Sequence, residues 1–369
     1  MDLQDEYSNI RPMIASKIGR NLHLQTNHPI EIVKRMIYEY FDTLDRKFDR
    51  FDELSPVVSV EDNFDLLLIP DDHPARSRSD TYYVNKEMVL RTHTSAHQNQ
   101  LLADGVTSFL VTGDVYRKDE VDRYHYPVFH QMEGVHLVGD GVDPKEDLIK
   151  VLSGLVETLF PGCEYRIRDH HFPFTDPSFE YDVMYEGEWM EILGCGLIHP
   201  DILAHHKITR TGWAWGIGLD RIAMRLFKIP DIRLLWSTHP RFLSQFKHGT
   251  VNKFAPFSTL PDQSNDISFW VQDGTYTTDE TKPATEWGWE QENDLCEIIR
   301  EVAGDNVKHV ELIDAFYHPK KKRYSRCYRL HFSPLDPDMT NAADFTSLVL
   351  SVFRDTSAAI VSGLGVEIR

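Results

Sequence analysis

The chain has 369 residues, enough for two or three domains with substantial cores. Hydrophobic residues make up 41%, aromatics 11% and charged residues 26%, which excludes a wholly disordered chain. The net charge of −19 argues, taken alone, against a nucleic-acid binder, whose footprint is usually basic.

No unbroken apolar run approaches the ~20 residues of a membrane helix; the best is Leu66 to Pro70. Cys163, Cys195, Cys296 and Cys327 form no C-x-x-C pair. A zinc ribbon and a thioredoxin-like redox site are therefore not expected, and the usage suits a reducing compartment. Asp2, Asp5 and Glu6 make the start acidic, unlike a secretory or transit segment. Such a segment is expected to be absent or already removed.

Ile30, Val33, Met36, Ile37 and Tyr40 recur at three- and four-residue spacing, predicting an amphipathic helix that starts near His28-Pro29. SPVVSV (55–60) and FDLLLIP (64–70) read as strand-like. LRTHTSAHQNQLLADG (90–105) reads as a strand end feeding a helix that stops at Gly105. FLVTGDVYR and VFHQMEGVHLV, either side of KDEVDRYHYP, predict a long antiparallel hairpin with a polar loop. Residues 143–160 predict a helix, with Leu148, Val151, Leu152, Leu155, Val156 and Leu159 on one face. YRIRDHHFPF, FEYDVMY and EWMEILGCGLI alternate like strands. WAWGIGLDRIAMRLF (213–227) starts as a Gly-rich strand and turns into a helix. A first domain is expected over 1–250, a polar linker over 251–264, and a second domain over 265–369. The order predicted for the second domain, βαββαβ, is the ferredoxin-like pattern.

Several groups could carry chemistry. Arg117 and Asp119 share a face by period two. They form either an internal ion pair or an inward arginine that awaits an anion. Gly212, Gly216 and Gly218, ahead of Arg221, miss the G-x-G-x-x-G spacing. They serve either close helix–strand packing or a planar ligand lying on bare backbone. Gln131 and Glu133, two apart, could grip an ammonium group. Phe172 and Phe174 flank Pro173 as core or as a ligand wall. His93, His97, His125, His130, His170 and His171 lack an H-E-x-x-H arrangement, so no transition-metal site is expected.

The order strand-Arg-x-acid, loop, strand with Q-x-E, then Gly-rich strand and helix-opening Arg resembles a class II aminoacyl-tRNA synthetase. The acid is Asp119, where the class pattern usually has Glu. LRTHTSAHQ, GDVYRKDEVDRYHYPVFHQMEGV, FPFTDPSFE, EILGCGLIHP and GWAWGIGLDRIAM resemble the phenylalanyl-tRNA synthetases. The resemblance runs from about residue 15 to the C-terminus and is greatest to the monomeric mitochondrial type. It implies an α+β fold: an antiparallel catalytic sheet with flanking helices, plus a C-terminal ferredoxin-like anticodon-binding domain. It implies ATP and Mg²⁺ as cofactors, L-phenylalanine and tRNA(Phe) as partners, no membrane partner and no β subunit. It also implies the mitochondrial matrix.

The resemblance further implies roles. Arg117 would hold the α-phosphate and the amino-acid carboxylate, and Arg221 the γ-phosphate. Tyr124, His125, Tyr126 and Gly216 would lie near ATP, with Trp215 stacked on adenine. Glu191, and less directly Asp176, would hold Mg²⁺. Ser95, Gln98, Gln131 and Glu133 would take the amino-acid head group. Phe172, Phe174 and Ala214 would enclose its ring. Residues 256–369 hold 11 Lys and Arg against 19 Asp and Glu, a net of −8. Lys320, Lys321, Lys322, Arg323 and Arg326 nevertheless cluster, with Tyr317 and Tyr324 placed for base stacking. That run is either a solvated turn or a tRNA contact. A non-catalytic RNA-binding paralogue, and an ATP-dependent amide-forming enzyme acting without tRNA, are the competing expectations.

Overall fold

The computed structural model describes residues 5–256, 260–279 and 281–369. A short helix α1 (Pro12–Ala15) precedes α2 (Pro29–Asp42). His28 caps α2 by accepting from the Ile30 amide at 3.2 Å, and Pro29 occupies the first turn, where no amide donor is needed. Strands β1 (Asp49–Phe51) and β2 (Val57–Ser59) lead to α3 (Val60–Asn63). Next come β3 (Met88–Leu90), α4 (Gln98–Ala103), and the hairpin strands β4 (Ser108–Tyr116) and β5 (Val128–Leu137). The Asp143 carboxylate caps α5 (Pro144–Leu159), accepting from the amides of Lys145 and Glu146 at 2.8 and 3.1 Å. Then follow β6 (Tyr165–Phe172), β7 (Thr175–Tyr185), β8 (Glu188–Ile198), α6 (Pro200–His205), β9 (Gly212–Gly218), α7 (Leu219–Phe227) and α8 (Pro240–Leu243).

β1, β4, β5, β9, β8, β7 and β6 form one sheet in that order. Its neighbours are antiparallel except β1 and β4. Helices α2 and α5 cover one face. There Trp215 stacks on Phe41 at 5.5 Å, and the Trp213 indole donates to Asp147 at 2.8 Å. On the other face, Leu101 and Leu102 of α4 and Ile202 and Leu203 of α6 pack against Phe109, Val111, Val135 and Ala214, and the rest borders a cavity. One expected strand is absent: FDLLLIP forms a single 3-10 turn at Asp65–Leu67, which buries Phe64 and Leu67. A short apolar run does not distinguish a buried turn from a buried strand.

The remainder follows the expected βαββαβ order. β10 (Gln263–Trp270), α9 (Glu292–Ala303), β11 (Val307–His318), β12 (Arg323–Phe332), α10 (Ala342–Leu364) and β13 (Glu367–Ile368) build a second, antiparallel sheet. Its order is β11-β12-β10-β13. β10 starts at Gln263 and so takes in the last two residues of the expected linker. By length and composition α10 is apolar enough to cross a membrane. Looking only for unbroken apolar runs passes it over. Its Phe345, Val349, Ile360 and Leu364 share a core with Leu295, Ile298 and Ile299 of α9.

The two sheets meet at the loop between β4 and β5. Val121, on that loop, is buried in the core of the second sheet. Its carbonyl accepts from the Val310 amide at 2.9 Å, and the Arg300 guanidinium donates to the Glu120 carbonyl. Lys118 pairs with Asp294 at 3.3 Å.

Packing across the first sheet leaves no room at Gly134, where a Cβ would lie 2.2 Å from Trp215 Nε1. The indole is held between Phe41 and the sheet, so it cannot retreat cheaply. Gly134→Ala should lower stability by about 1–3 kcal/mol. A urea midpoint equal to that of the parent protein would contradict this packing.

Candidate active site

On that face of the first sheet, beside the α4 and α6 cover, lies a cavity of about 760 Å³. Its floor follows from strand register. Glu133 lies opposite Gly216, Gly216 opposite Gly194, and Gln131 opposite Gly218, so all five face the cavity. Beside Gly216 and Gly218 a Cβ would meet nothing within 4 Å, whereas at Gly194 it would meet the Phe172 ring at 2.7 Å. The floor is thus bare backbone at one end and is covered by an aromatic ring at the other.

The turn after β3 supplies one wall. Ser95 donates its hydroxyl to Glu133 Oε2. Glu133 is 3% exposed, and desolvation pushes its carboxyl up to about 8, with Ser95 opposing. Among the described residues, Glu133 Oε1 and Gln98 Nε2 are buried without a partner. Native proteins rarely leave such groups unpaired, so this cluster has the character of a site awaiting a polar ligand. Gln131 completes the same wall.

Arg117 lies just past the end of β4. Its Nε donates to the Thr92 carbonyl at 2.7 Å, and its guanidinium lies over the Phe129 ring at 5.4 Å. Among the described residues no carboxylate comes within 4 Å of it. The Asp119 carboxylate instead accepts from the Glu120 amide at 2.8 Å. Burial lowers the Arg117 pKa, and the Asp119 charge opposes that shift. The expected alternative of a closed Arg117–Asp119 pair is therefore not what forms. Arg221 opens α7, is exposed, and lines the far end of the cavity. His125 holds Asp122 at 2.8 Å, and this bond raises its pKa.

Glu191 is the carboxylate on the wall contributed by β8. Desolvation raises its pKa first, then Glu180 and Asp182, against Arg221 and Arg168. Negative charge there is costly in the free protein, so a cation is welcome. Such a donor fits magnesium, which typically takes one or two protein carboxylates and keeps several waters.

The cavity brings together Ser95, Gln98, Arg117, Tyr124, His125, Gln131, Glu133, Phe172, Phe174, Glu191, Ala214, Gly216 and Arg221. Five expectations need correction. Trp215 lies between Ala214 and Gly216 on β9, so its indole points to the opposite face and stacks on Phe41, not on a base. Tyr126 reaches the cavity edge, but its ring stacks on Trp236 at 5.6 Å and its hydroxyl donates to Asp305 at 2.9 Å. Asp176 is exposed on β7 and has no place in the lining. Arg326 is 2% exposed, pairs with Glu292 at 2.9 Å and packs among Trp289, Tyr324 and Tyr328. Tyr324, fully buried, is likewise closed to base stacking. Lys320, Lys321 and Lys322 are exposed on the turn from β11 to β12. Arg323 pairs with Glu367 at 2.8 Å.

Phe129 was not anticipated. It lies two residues before Gln131, hence on the cavity face, and offers an aromatic surface beside the bare glycine floor. Its period-two relation to Gln131 and Glu133 was the available signal. Beneath the wall, Arg91 donates to Asp114 Oδ1 at 2.8 Å and to the Asp114 carbonyl at 2.7 Å. Nothing in the local pattern distinguishes that pair.

Residues 14–246 match the family model described as the class II core domain (F) of tRNA synthetases. The chain is 46% identical over 350 residues to the chloroplastic/mitochondrial phenylalanine–tRNA ligase of Arabidopsis thaliana, covering 91% of this chain and 78% of that one. It is 41% identical over 410 residues to the mitochondrial phenylalanine–tRNA ligase of Mus musculus, covering 99% and 87%. It is 38% identical over 242 residues to the phenylalanine–tRNA ligase alpha subunit of Coxiella burnetii, covering 62% and 70%.

Glu133 predicts a stability cost that depends on pH. Its folded-state pKa, about 8, lies above the unfolded value of 4.5. The neutral carboxyl is therefore tolerated below pH 4.5, and stability is lost as pH rises through 8. Glu133→Gln should remove that loss, worth on the order of 3–5 kcal/mol at most. The midpoint difference between variant and parent should widen from pH 5 to pH 8. A difference independent of pH would show that Glu133 is ionised in the folded protein.

Proposed function

Because the chain belongs to the class II aminoacyl-tRNA synthetases, we propose that it is a phenylalanine–tRNA ligase. It joins L-phenylalanine and ATP into phenylalanyl adenylate and pyrophosphate. It then passes the phenylalanyl group to the terminal adenosine of tRNA(Phe). The observation that carries this reading is the Arg117 guanidinium. Among the described residues it has no ionic partner, and it lies in the same cavity as the buried polar cluster around Glu133.

The first step is an in-line attack of the amino-acid carboxylate on the α-phosphorus. No protein nucleophile is needed; the requirement is to hold two anions together and to neutralise charge where it develops. Arg117, anchored at Nε, directs its terminal nitrogens to the carboxylate and the α-phosphate. Arg221 neutralises the distal phosphates. Glu133, Ser95, Gln98 and Gln131 take the ammonium group, whose charge favours the ionised form of Glu133. The adenine lies over the Gly216 and Gly218 backbone, against Phe129. Glu191 would hold Mg²⁺, which supplies further neutralisation of phosphate charge.

The phenylalanine ring fits between Ala214 and the Phe172/Phe174 pair, whose rings stack at 5.7 Å. It meets them edge-on, a favoured aromatic geometry. The extended match to single-chain mitochondrial relatives supports action in mitochondria without a β subunit. It also speaks against the non-catalytic and amide-forming alternatives. The second sheet is read as the anticodon-binding domain, with Lys320, Lys321 and Lys322 as its exposed cationic run.

Phenylalanine-dependent pyrophosphate–ATP exchange, followed by charging of tRNA(Phe), tests the whole reading. Exchange without charging would point to the amide-forming alternative. Arg117→Ala should lower exchange by about 10²–10³ while leaving the protein folded. Near-parental exchange in the folded variant would remove Arg117 from the site.

Replacing Lys320, Lys321 and Lys322 together by Ala should weaken tRNA charging and flatten its salt dependence, while sparing exchange. An unchanged tRNA affinity and salt slope would make the run a solvated turn.

A further inference from the structure

Asn63 ends α3, and its side chain is completely buried. A carboxamide in such a place is costly unless its hydrogen bonds are met. Here a single residue meets them. Asn63 Nδ2 donates to Thr92 Oγ1 at 3.0 Å, and Asn63 Oδ1 accepts from the Thr92 amide at 3.0 Å. The neighbouring Arg91 is also fixed. Its amide donates to the Pro56 carbonyl at 2.8 Å, its carbonyl accepts from the Tyr116 amide at 2.9 Å, and its guanidinium is held by Asp114.

These bonds leave the 91–92 backbone with little freedom. The Thr92 carbonyl is the group that accepts Arg117 Nε at 2.7 Å. A guanidinium is planar, so one bond at Nε, together with the Phe129 ring beneath, sets where its terminal nitrogens point. We propose that Asn63 is a positioning residue: by clamping Thr92 from both sides it aims Arg117 at the reacting phosphate and carboxylate. This rests on the role given to Arg117 above. α3 and the turn after it thereby acquire a part in catalysis without touching substrate.

The test is a double-mutant cycle, because only coupled residues deviate from additivity. Asn63→Ala should lower the exchange kcat by about 10–100-fold, the scale of loss for a small misplacement. In an Arg117→Ala background the same substitution should change exchange less than twofold. Binding of phenylalanyl sulfamoyl adenosine, read by calorimetry, should show the same dependence where exchange is too slow to follow. Thr92→Ser keeps the hydroxyl and the amide and should stay near parental activity, whereas Thr92→Val should fall with Asn63→Ala. Equal losses in both backgrounds, or no loss in either, overturn the proposal. Should Asn63→Ala fail to fold, Thr92→Val takes its place in the cycle with the same outcomes. An unimpaired Arg117→Ala would instead sink the reading of Arg117 itself, which separates the two failures.

Discussion

A guanidinium without an ionic partner among the described residues and a carboxyl pushed toward neutrality share one cavity, and the rest of the structure is arranged around that tension. Neither group would be left this way in a fold selected for stability alone. Arg117 is anchored through Nε only, so its remaining donors are available. Glu133 accepts from Ser95 through one oxygen and has nothing for the other. Ionic satisfaction is placed one layer out. Arg91 and Asp114 neutralise each other beneath the wall, with His97 beside Arg91 at 2.8 Å. Arg166 and Arg168 neutralise Asp182 on the far strands. The cavity remains polar and unsatisfied because its supports are polar and satisfied.

The second constraint is the loop between β4 and β5. It carries Arg117, Tyr124 and His125 on one side and gives Val121 to the core of the second sheet on the other. A polar loop of this length would be mobile if left free in water. Here it is pinned by the Val121 carbonyl, the Lys118–Asp294 pair and the Tyr126 hydroxyl on Asp305. Lys17 adds to this junction, lying 5.0 Å from the Trp236 ring centre and 5.5 Å from that of Tyr126. The order of the loop is therefore shared property of the two sheets. A reading of the first sheet as a self-sufficient unit would miss half of what holds it.

Much of this was legible in the residues because period is a physical signal. The alternation in FLVTGDVYR and VFHQMEGVHLV marks β4 and β5, and the face of Leu148 to Leu159 marks α5. The same rule exposes one inconsistency. Ala214 and Trp215 are adjacent on a strand, so they cannot both face one ligand, and the indole went to the helices. The basic run misled in a related way. Exposed Lys320 to Lys322 sit on the turn, whereas Arg326 lies within β12, where the fold buries it against Glu292. Asn63 and Arg91 could not be read at all. A buried polar residue has meaning only through its partner, and their partners, Thr92 and Asp114, lie 29 and 23 residues away.

The end of the cavity proposed for the amino acid shows how far shape alone can carry selectivity. Ala214 belongs to an apolar cluster with Leu102, Val135 and Ile198, against which Phe174 packs. These side chains offer no hydrogen bond to a hydroxyl at the end of a substrate ring. Desolvation by such a wall rejects a hydroxyl-bearing near-isostere by only about 10². Larger discrimination must come from lack of room. Room is governed here by β9, where Ala214 keeps one methyl between neighbours that are glycine at 212, 216 and 218. The bare floor at Gly216 and Gly218 is closed off, two residues earlier, by that single methyl. On the proposed reading one strand sets both the slot for the nucleotide and the depth of the ring pocket, so a shift of β9 could not alter one without the other.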